Sequence, residues 1–589
     1  MQHPIFRRYP SRVLIALLFF TIMLSCKSKS QEKESSENID KKWWKEAIVY
    51  QIYPRSFKDS NGDGIGDLKG IIEKLDYIKS LGVTAVWLNP IYTSPNADNG
   101  YDVSDYRNIM DEFGTMEDFD AMLQGMHERD IKLVMDIVVN HSSNEHPWFL
   151  QSRSSRNNPY RDYYHWWPVE KGTPPYRYSL FDAKGYAWQY DSLTNAYYLH
   201  YFAKKQPDLN WSNPKLRQEV YDIMKFWADK GVDGFRLDAF QFAAKDTTYP
   251  KFPDGFEKDF IQYYAMQDGI HDYLKEMHQE VFGKYDVMSV AEGAGRNFDD
   301  AHKLVDKDRN ELNMAYAFEG VDIPKYEGYE LATVKEVFTK WDQEFAQDGW
   351  LSIFLANHDQ ARMVSRWGND SEAYRAASTK MLNTFMLSMR GTPYCYYGDE
   401  LGMTNIDFDS ISQYRDIAAI NGYEKALAEG EDMELFMKKL NFGSRDNGRT
   451  PMQWDDSKNA GFSTAEPWLP VNENHVELNV EAQDSDENSV LNHFRKMTAL
   501  RKQHPILVYG SYALFEPEHP SVYAYTRTLQ DEKVLVLLNF SEEPSNIALN
   551  KDWKIASILI NNYPALENLN GTVTLKPFQG AIVSIASNP

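Results

Sequence analysis

Residues 231–240 read GVDGFRLDAF, a short apolar run that carries Arg236 and Asp238. The two charged residues stand two positions apart, so a strand here places both side chains on the same face. A charge buried without a partner is costly, and we therefore expect this pair either to form a salt bridge in the core or to take part in chemistry. Helical sequence precedes the run and resumes after it, which is typical of a strand placed between two helices.

The same alternation of helical patterns and short apolar runs continues along most of the chain. The apolar runs that we interpret as strands are residues 47–53, 83–88, 132–139, 231–240, 287–291, 312–318, 351–356 and 392–397. Strands that alternate with helices pair in parallel. The sequence therefore predicts an α/β fold, a (β/α)8 TIM barrel.

Three segments depart from this alternation. Residues 141–206 lack a helical period and are rich in Trp, Tyr, Pro and Asn, which predicts a small domain inserted after the third strand. Residues 401–480 form a second insertion, after the eighth strand. The barrel then comprises residues 43–140 and 207–504. Short alternating strands in residues 505–589 predict a C-terminal all-β sandwich domain.

The N-terminus has the pattern of a bacterial lipoprotein signal. Three arginines precede an apolar run at residues 13–24, which is too short for a comfortable membrane span and is followed by Ser25 and Cys26. We expect residues 1–26 to be a signal that ends at a lipidated Cys26, and residues 27–42 to be a disordered tether. The predicted location is the cell envelope, with membrane attachment only through this lipid anchor. An ordinary secretory signal with an incidental cysteine is the alternative.

Composition excludes other classes of function. The formal net charge of −23 argues against nucleic acid as a partner, because phosphate binding needs clustered Lys and Arg. Only Cys395 remains after removal of the signal, so an intramolecular disulfide is not possible. Its apolar surroundings, TPYCYYG, predict a core thiol.

Polar side chains recur where the predicted strands end: Asp136, Asn140 and His141 at the third strand, Arg236 and Asp238 at the fourth, Glu292 at the fifth, and His358 and Asp359 at the seventh. The carboxyl ends of barrel strands meet at one mouth, so these groups are expected to converge. Two carboxylates are the minimum for glycoside hydrolysis, since one attacks the anomeric carbon and the other protonates the leaving oxygen. Arg236 is expected to keep Asp238 ionised.

A separate pattern predicts a cation site. The segment DSNGDGIGDLKG places Asp59, Asn61, Asp63 and Asp67 at alternating positions with glycines between them. Oxygen ligands at this spacing suit a hard cation such as Ca²⁺. The distal glutamate and the helices of an EF-hand are missing, and an Asx- and Gly-rich turn without a metal is the alternative.

These segments together resemble the α-amylase superfamily of glycoside hydrolases. The motifs that carry the resemblance are DIVVNH (136–141), GFRLDA (234–239), AEG (291–293) and NHD (357–359). QPDLNW (206–211), RDNGRTPMQW (445–454) and YQIYPRSF followed by DSNGDGIGDLKGI narrow it to the oligo-1,6-glucosidase and α-glucosidase branch. The resemblance covers residues 43–589.

The resemblance implies roles for particular residues. Asp238 is expected to be the nucleophile of a retaining double displacement, Glu292 the general acid and base, and Asp359 the stabiliser of the transition state. The residues expected to bind the terminal glucose are Asp98, Tyr101, His141, Arg236, His358 and Arg445, with Arg449 as the alternative partner of Asp98. The resemblance also implies a structural Ca²⁺ held by Asp59, Asn61, Asp63, the Ile65 carbonyl and Asp67.

The expected activity is that of an exo-acting α-glucosidase, a monomer that acts on short oligosaccharides. In this branch valine after the nucleophile accompanies α-1,6 preference, and Ala239 therefore favours α-1,4 cleavage. The alternatives are an oligo-1,6-glucosidase, or a trehalose- or sucrose-type transglucosylase or isomerase, although the RLDRD-like insert of sucrose isomerases is missing. A sugar-binding or scaffold protein with a dead site is a further alternative, against which the intact Asp238, Glu292 and Asp359 argue.

Overall fold

The computed structural model describes residues 39–182, 184–569 and 571–587. The chain divides into a unit that ends at Trp43 and a unit that begins at Trp44, and the fold described below is that of the second unit. The predicted lipoprotein signal, with Cys26, and most of the tether lie outside the described residues. Within these ranges, no helix combines the length and the apolar character that crossing a membrane requires.

Eight parallel strands form the barrel: β1 Val49–Ile52, β2 Ala85–Leu88, β3 Lys132–Val138, β4 Gly234–Asp238, β5 Met288–Ala291, β6 Met314–Ala315, β7 Ser352–Ile353 and β8 Thr392–Tyr396. The order of pairing runs from β6 through β5, β4, β3, β2, β1 and β8 to β7. A parallel bridge between Ala315 and Leu351 joins β6 to β7 and closes the ring. The predicted barrel is confirmed.

Burial explains why these strands are readable as apolar runs. Every residue of β1, β2, β4 and β5 is buried, as expected for parallel strands covered by helices on one side and by the barrel interior on the other. β6 and β7 have two residues each and are shorter than the apolar runs from which they were predicted. The additional apolar residues Tyr316 and Phe354 pack against each other past the strand ends, with ring centroids 5.0 Å apart.

The longer helices are Met116–His127, Pro147–Ser154, Pro214–Asp229, Ile270–Met277, Phe298–Val305, Leu331–Glu344, Arg375–Ser388, Ile417–Glu429, Met433–Gly443 and Val490–Gln503. The helix Pro214–Asp229 shows how local sequence sets these boundaries. Asn213 caps its first turn through the Lys215 N–H, and proline occupies its first position. Gly231, with a φ of 104°, follows its end and turns the chain into β4.

The segment between β3 and β4 carries its own antiparallel sheet. Its strands are Trp166–Pro168, Ala196–Leu199 and Trp188–Asp191, paired in that order. Bridges between His141 and Asp208 and between Tyr164 and Leu209 tie its two ends together. This is the predicted small domain inserted after the third strand.

The C-terminal region consists of two antiparallel sheets. The larger contains Ser511–Phe515, Val522–Leu529, Glu532–Asn539, Gly580–Ser587 and Trp553–Asn561, and the smaller contains Ser545–Ala548, Thr572–Leu575 and Glu567–Leu569. Val522, Leu535 and Val583 of the first sheet share a buried apolar cluster with Ile547 and Val573 of the second. The predicted all-β domain is confirmed, while the exact domain boundaries stay predictions.

Candidate active site

The ends of β3, β4 and β5 bring four charged side chains together. The register pairs Asp136 of β3 with Arg236 of β4, and Asp238 is the last residue of β4. Glu292 follows β5, and its backbone N–H donates to the Leu237 carbonyl at 3.0 Å. All four residues therefore lie at the carboxyl end of the barrel, where the active sites of such barrels are found.

The guanidinium of Arg236 is the centre of this cluster. Its Nη1 donates to Asp136 Oδ1 at 2.9 Å and to Asp238 Oδ1. Its Nη2 lies 2.5 Å from Glu292 Oε1, in an ion pair whose geometry does not meet the angle of a hydrogen bond. Trp87 covers the guanidinium at 5.2 Å. One buried cation is thus shared by three carboxylates.

Burial, together with this imbalance of charge, raises the pKa of two of the carboxyls. Burial, followed by the charge of Glu292, raises the pKa of Asp238 well above its ordinary value, although Arg236 acts in the opposite direction. Burial also raises the pKa of Asp136 to about 6. The expectation that Arg236 keeps Asp238 ionised is therefore incomplete, because the same arginine must serve three carboxylates and does not offset their burial.

Glu292 is held by the turn that follows β4. Its Oε2 accepts a hydrogen bond from the Ala239 N–H at 2.7 Å. Ala239 has a φ of 46°, in the left-handed region, and this conformation directs the N–H towards Glu292. Both carboxylate oxygens of Glu292 are thus engaged, one with Arg236 and one with the backbone beside Asp238.

Asp359, after β7, has a different electrostatic environment. Its Oδ1 accepts from Arg445 Nη1 at 3.0 Å and from Arg449 Nη2 at 3.3 Å, and His358 Nε2 lies 3.1 Å from its Oδ2. Burial raises the pKa of Asp359, but His358 and the two arginines outweigh it and hold this pKa below its ordinary value. Asp359 is therefore ionised across the neutral range, and its pKa is shifted in the opposite direction to that of Asp238.

His358 and Tyr101 connect Asp359 to the cluster of Arg236. Gln51 Nε2 lies 2.9 Å from His358 Nδ1, so the imidazole accepts there and carries its proton on Nε2. The Tyr101 hydroxyl lies 2.7 Å from that Nε2 and 2.9 Å from Asp136 Oδ2. The two rings are stacked, with centroids 5.3 Å apart and planes inclined by 7°. One face of Tyr101 is therefore occupied by His358.

The remaining predicted residues complete a ring of contacts. Gln206 Nε2 donates to Asp98 Oδ2 at 3.0 Å and lies 3.0 Å from His141 Nε2. Arg445 Nη2 reaches Asp98 Oδ1 at 3.4 Å. Because Arg445 also contacts Asp359, the predicted catalytic and sugar-binding residues form one continuous network.

Two members of this network were not predicted from the sequence. Asp416 is the principal partner of Arg445, which donates to it through both Nε and Nη2. It lies 29 residues before Arg445, in a part of the insertion that precedes the quoted motif RDNGRTPMQW, so no spacing signal pointed to it. Gln206 opens the quoted motif QPDLNW, and a polar residue inside a recognised motif was a signal that could have been used. Arg449, the alternative partner of Asp98, instead donates to the His358 carbonyl at 2.9 Å.

The predicted cation loop lies apart from this network. Asp59 Oδ1 accepts from the N–H groups of Asn61 and Gly62, and Asn61 and Asp63 each accept from the N–H two residues further on at 2.9 Å. Gly62 and Gly64 have φ values of 81° and 92°, which lets the loop wrap tightly. Asp67 accepts from Ser60 and caps the next helix through the Gly70 N–H.

The residues of this loop fit a hard cation. Asn61 and Asp63 are exposed and present oxygen atoms from alternating positions, and every predicted ligand supplies oxygen. In the part of the chain that the structure describes, no group of three or more His, Cys, Asp or Glu side chains is arranged so that it could hold a metal ion. A cation here would therefore also rely on the Asn61 amide oxygen and the Ile65 carbonyl.

Comparison with known proteins agrees with the fold. The profile "Alpha amylase, catalytic domain" matches residues 51–510, and "Maltogenic Amylase, C-terminal domain" matches residues 512–582. The oligo-1,6-glucosidase of Parageobacillus thermoglucosidasius is 51% identical over 93% of this chain and 100% of its own length. The trehalose-6-phosphate hydrolase of Bacillus subtilis is 44% identical over 92% of this chain and 98% of its own.

The predicted location in the cell envelope is contradicted by these relatives. The oligo-1,6-glucosidases of Parageobacillus thermoglucosidasius and Bacillus cereus are matched over 100% of their length by 93% of this chain. The relatives that overturn the prediction are thus oligo-1,6-glucosidases aligned over their entire length, and among the described residues of this chain no helix could span a membrane. The prediction of a location in the cell envelope rested on a short N-terminal pattern alone, and it is wrong.

Solved structures give the same assignment. Isomaltulose synthase SmuA from Protaminobacter rubrum is 42% identical, covers 93% of this chain and 100% of its own, and superposes with a TM-score of 0.91. The family profile spans most of the chain, and the relatives align over nearly their whole length. This chain belongs to the alpha-amylase family of glycoside hydrolases.

Proposed function

We propose that this glycoside hydrolase is a retaining, exo-acting α-glucosidase that releases glucose from the non-reducing ends of short α-glucooligosaccharides. The observation that carries the proposal is the placement of Asp238 and Glu292 on either side of Arg236, at the mouth of the barrel. Two carboxyls in one cluster suit a nucleophile paired with a general acid. Several relatives named oligo-1,6-glucosidase support the same class of activity.

The proposed reaction has two steps. In the first, an Asp238 oxygen bonds to the anomeric carbon while the glycosidic bond breaks, and Glu292 gives its proton to the leaving oxygen. In the second, Glu292 removes a proton from water, whose oxygen bonds to the anomeric carbon as the bond to Asp238 breaks. Asp359, held ionised by Arg445 and Arg449, is suited to bind hydroxyls and to stabilise positive charge on the sugar ring.

Exo-action is supported by the contacts that close one end of the site. Arg445 joins Asp98 to Asp359, and Gln206 joins Asp98 to His141. Phe181 lies 4.9 Å from the Arg445 guanidinium and adds an apolar wall. A closed end accepts a terminal glucose more readily than the interior of a long chain. The monomer expected from the sequence stays a prediction.

A sucrose isomerase is the second candidate, because isomaltulose synthases are among the similar solved structures. That activity needs the same covalent intermediate, but the glucosyl group is then transferred to a sugar hydroxyl instead of to water. The sequence relatives favour hydrolysis, since they include oligo-1,6-glucosidases and a glucan 1,6-α-glucosidase of Streptococcus pneumoniae.

The first prediction concerns the reaction itself. We expect the wild-type enzyme to release glucose from maltose, isomaltose and maltotriose, and Asp238→Asn to lose activity by on the order of 10⁴-fold because the nucleophile is removed. Product analysis by chromatography is the measurement. Asp308→Asn, in the exposed 3-10 helix Lys307–Arg309, is the matched control and should keep full activity. Conversion of sucrose mainly to isomaltulose or trehalulose would instead favour the isomerase.

The second prediction concerns linkage, for which we propose α-1,4 preference. Ala239 directly follows the nucleophile and is buried, so a larger side chain there narrows the space beyond the scissile bond. We expect Ala239→Val to raise the ratio of kcat/KM for isomaltose to that for maltose by about tenfold, a typical effect of one or two methyl groups in a pocket.

Valine at a φ of 46° is strained, so this variant is expected to be less stable. The ratio of two substrates measured on one preparation is independent of the folded fraction, which makes it the proper readout. Strict isomaltose preference of the wild type, or an unchanged ratio in the variant, would overturn the α-1,4 proposal and leave the hydrolase intact.

The third prediction concerns pH. Asp238 must be ionised to attack, and burial together with the Glu292 charge raises its pKa. Glu292→Gln removes that charge, so the pKa of Asp238 falls and the acidic limb of the reaction moves to lower pH. Because this variant lacks its acid, the measurement is the pre-steady-state release of dinitrophenolate from 2,4-dinitrophenyl α-glucoside, which needs no protonation. An acidic limb that stays at the same pH or moves to higher pH contradicts the inference that the charge of Glu292 raises the pKa of Asp238.

The fourth prediction concerns the cation loop, for which we propose a structural Ca²⁺. Chelation should lower the melting temperature, and added Ca²⁺ should restore it, because a cation that binds the folded state stabilises it. Asp59 also accepts from Ser463 Oγ and Gly64 N, so the loop anchors the insertion after β8. Asp63→Ala should abolish the response to Ca²⁺. A melting temperature that does not respond to chelation in the wild type would exclude this site.

A further inference from the structure

Lys245 is a buried cation to which the proposed mechanism gives no role. It lies beyond the 3-10 helix Phe240–Phe242 that follows β4, and its side chain is fully inaccessible. Its ammonium donates to Asn140 Oδ1 at 2.7 Å and to the Phe242 carbonyl at 2.6 Å, and it lies 3.2 Å from Asp208 Oδ2. These contacts join three segments that line the mouth: the end of β3, the end of the inserted domain and the loop after β4.

The first consequence is the orientation of the Asn140 amide. An ammonium only donates, so it selects the oxygen of the amide and directs the nitrogen to the other side. The Asn140 Nδ2 accordingly lies 3.1 Å from His141 Nδ1 and 3.4 Å from Asp208 Oδ1. Lys245 thus determines which end of the amide faces the histidine.

The second consequence is the tautomer of His141. Since Asn140 presents an N–H to Nδ1, that nitrogen must accept, and the proton of the neutral ring is on Nε2. Nε2 lies 3.2 Å from the Tyr101 carbonyl, an acceptor in line with this assignment. Burial and the charge of Lys245 lower the pKa of His141 to about 3, so the ring stays neutral.

The position of the Gln206 amide agrees only in part with a proton on His141 Nε2. Its oxygen accepts from the Ala203 N–H at 3.0 Å, which leaves its nitrogen 3.0 Å from His141 Nε2. Two N–H groups at this distance repel each other, and a ligand oxygen that accepts from both relieves the repulsion. The His141 ring and Gln206 are therefore arranged to donate to one hydroxyl oxygen of a bound sugar.

We propose that Lys245 is a positioning residue for the glycosidase reaction: through Asn140 it sets the tautomer of His141, so that the ring donates a hydrogen bond to a hydroxyl of the terminal glucose. The inference rests on the proposed function, because the glucose supplies the hydroxyl. A purely structural role for Lys245 predicts something different: its replacement would lower activity only because breaking the Lys245–Asp208 ion pair destabilises the fold.

The test separates these two roles with a double variant. Lys245→Met alone leaves Asp208 buried and unpaired, which destabilises the fold. Lys245→Met combined with Asp208→Asn removes both charges with little change in volume, so we expect much of the melting temperature to return. If the role of Lys245 is structural, the kinetics return with it. If Lys245 orients Asn140, the kinetic defect remains in the double variant.

The kinetic readout uses 4-nitrophenyl α-glucoside and its 2-, 3-, 4- and 6-deoxy analogues. His141→Ala first identifies the analogue whose penalty in kcat/KM depends on His141. In the double variant, that single penalty should shrink by about threefold to tenfold, the size of one hydrogen bond, while the other three stay unchanged. An equal loss on all four analogues, or an unchanged penalty, overturns the proposal.

A second measurement does not depend on activity. The ¹⁵N shifts of histidine-labelled enzyme, with His141 assigned by the His141→Ala variant, should show a protonated Nε2 in the wild type and a mixture of tautomers in the double variant. Nδ1 protonation in the wild type overturns the proposal. Lys335→Met is the matched control, since this buried lysine donates to the Pro517 and His519 carbonyls and should leave the His141 shifts in place. A wild type that hydrolyses no glucoside would instead contradict the proposed function.

Discussion

The chemistry at the mouth of the barrel depends on one guanidinium that is shared by three carboxylates. Arg236 is completely buried, and Asp136, Asp238 and Glu292 all contact it. Charges at such distances interact by about 4 kcal/mol each at an effective dielectric constant of 20, so none of these groups sets its protonation state alone. An arginine suits this place because its planar group reaches several oxygens at once and keeps its charge when buried.

The opposite side of the site has a different arrangement of charge. There, two arginines contact the single carboxylate of Asp359, and two further carboxylates, Asp98 and Asp416, contact Arg445. Both arginines come from the insertion after β8, whereas Asp238 ends β4 and Glu292 directly follows β5. Part of the proposed glucose-binding network therefore comes from the insertion, whereas the proposed bond-breaking groups come from the barrel strands, and sequence changes in the insertion can alter that part without disturbing the strands.

Much of this arrangement could be predicted from the sequence because barrel strands are short, fully buried and followed by polar residues. The sequence predicted that four residues lie close together, because the carboxyl ends of parallel strands converge: Asp136, Arg236, Asp238 and Glu292. Asp416 was not readable, because its contact with Arg445 depends on how an irregular insertion folds. The raised pKa of Asp238 was missed for a related reason: the local motif suggested one partner for Arg236, and only the three-dimensional structure shows that three compete for it. The predicted location in the cell envelope was wrong because it was inferred from a short N-terminal pattern and not from the enzyme that follows it.

The pairing of the first and last barrel strands has a consequence for biosynthesis. Val49 of β1 pairs with Tyr394 of β8, and the Tyr50 hydroxyl donates to Glu400, 350 residues away. On the ribosome, one edge of β1 therefore stays without its partner until nearly the whole catalytic domain has been translated. An apolar strand with an open edge is a template for wrong pairing, so the nascent chain is exposed to mispairing throughout this interval. The seam between β1 and β8 is the step at which the barrel becomes complete, and it can form only after Thr392–Tyr396 has been translated.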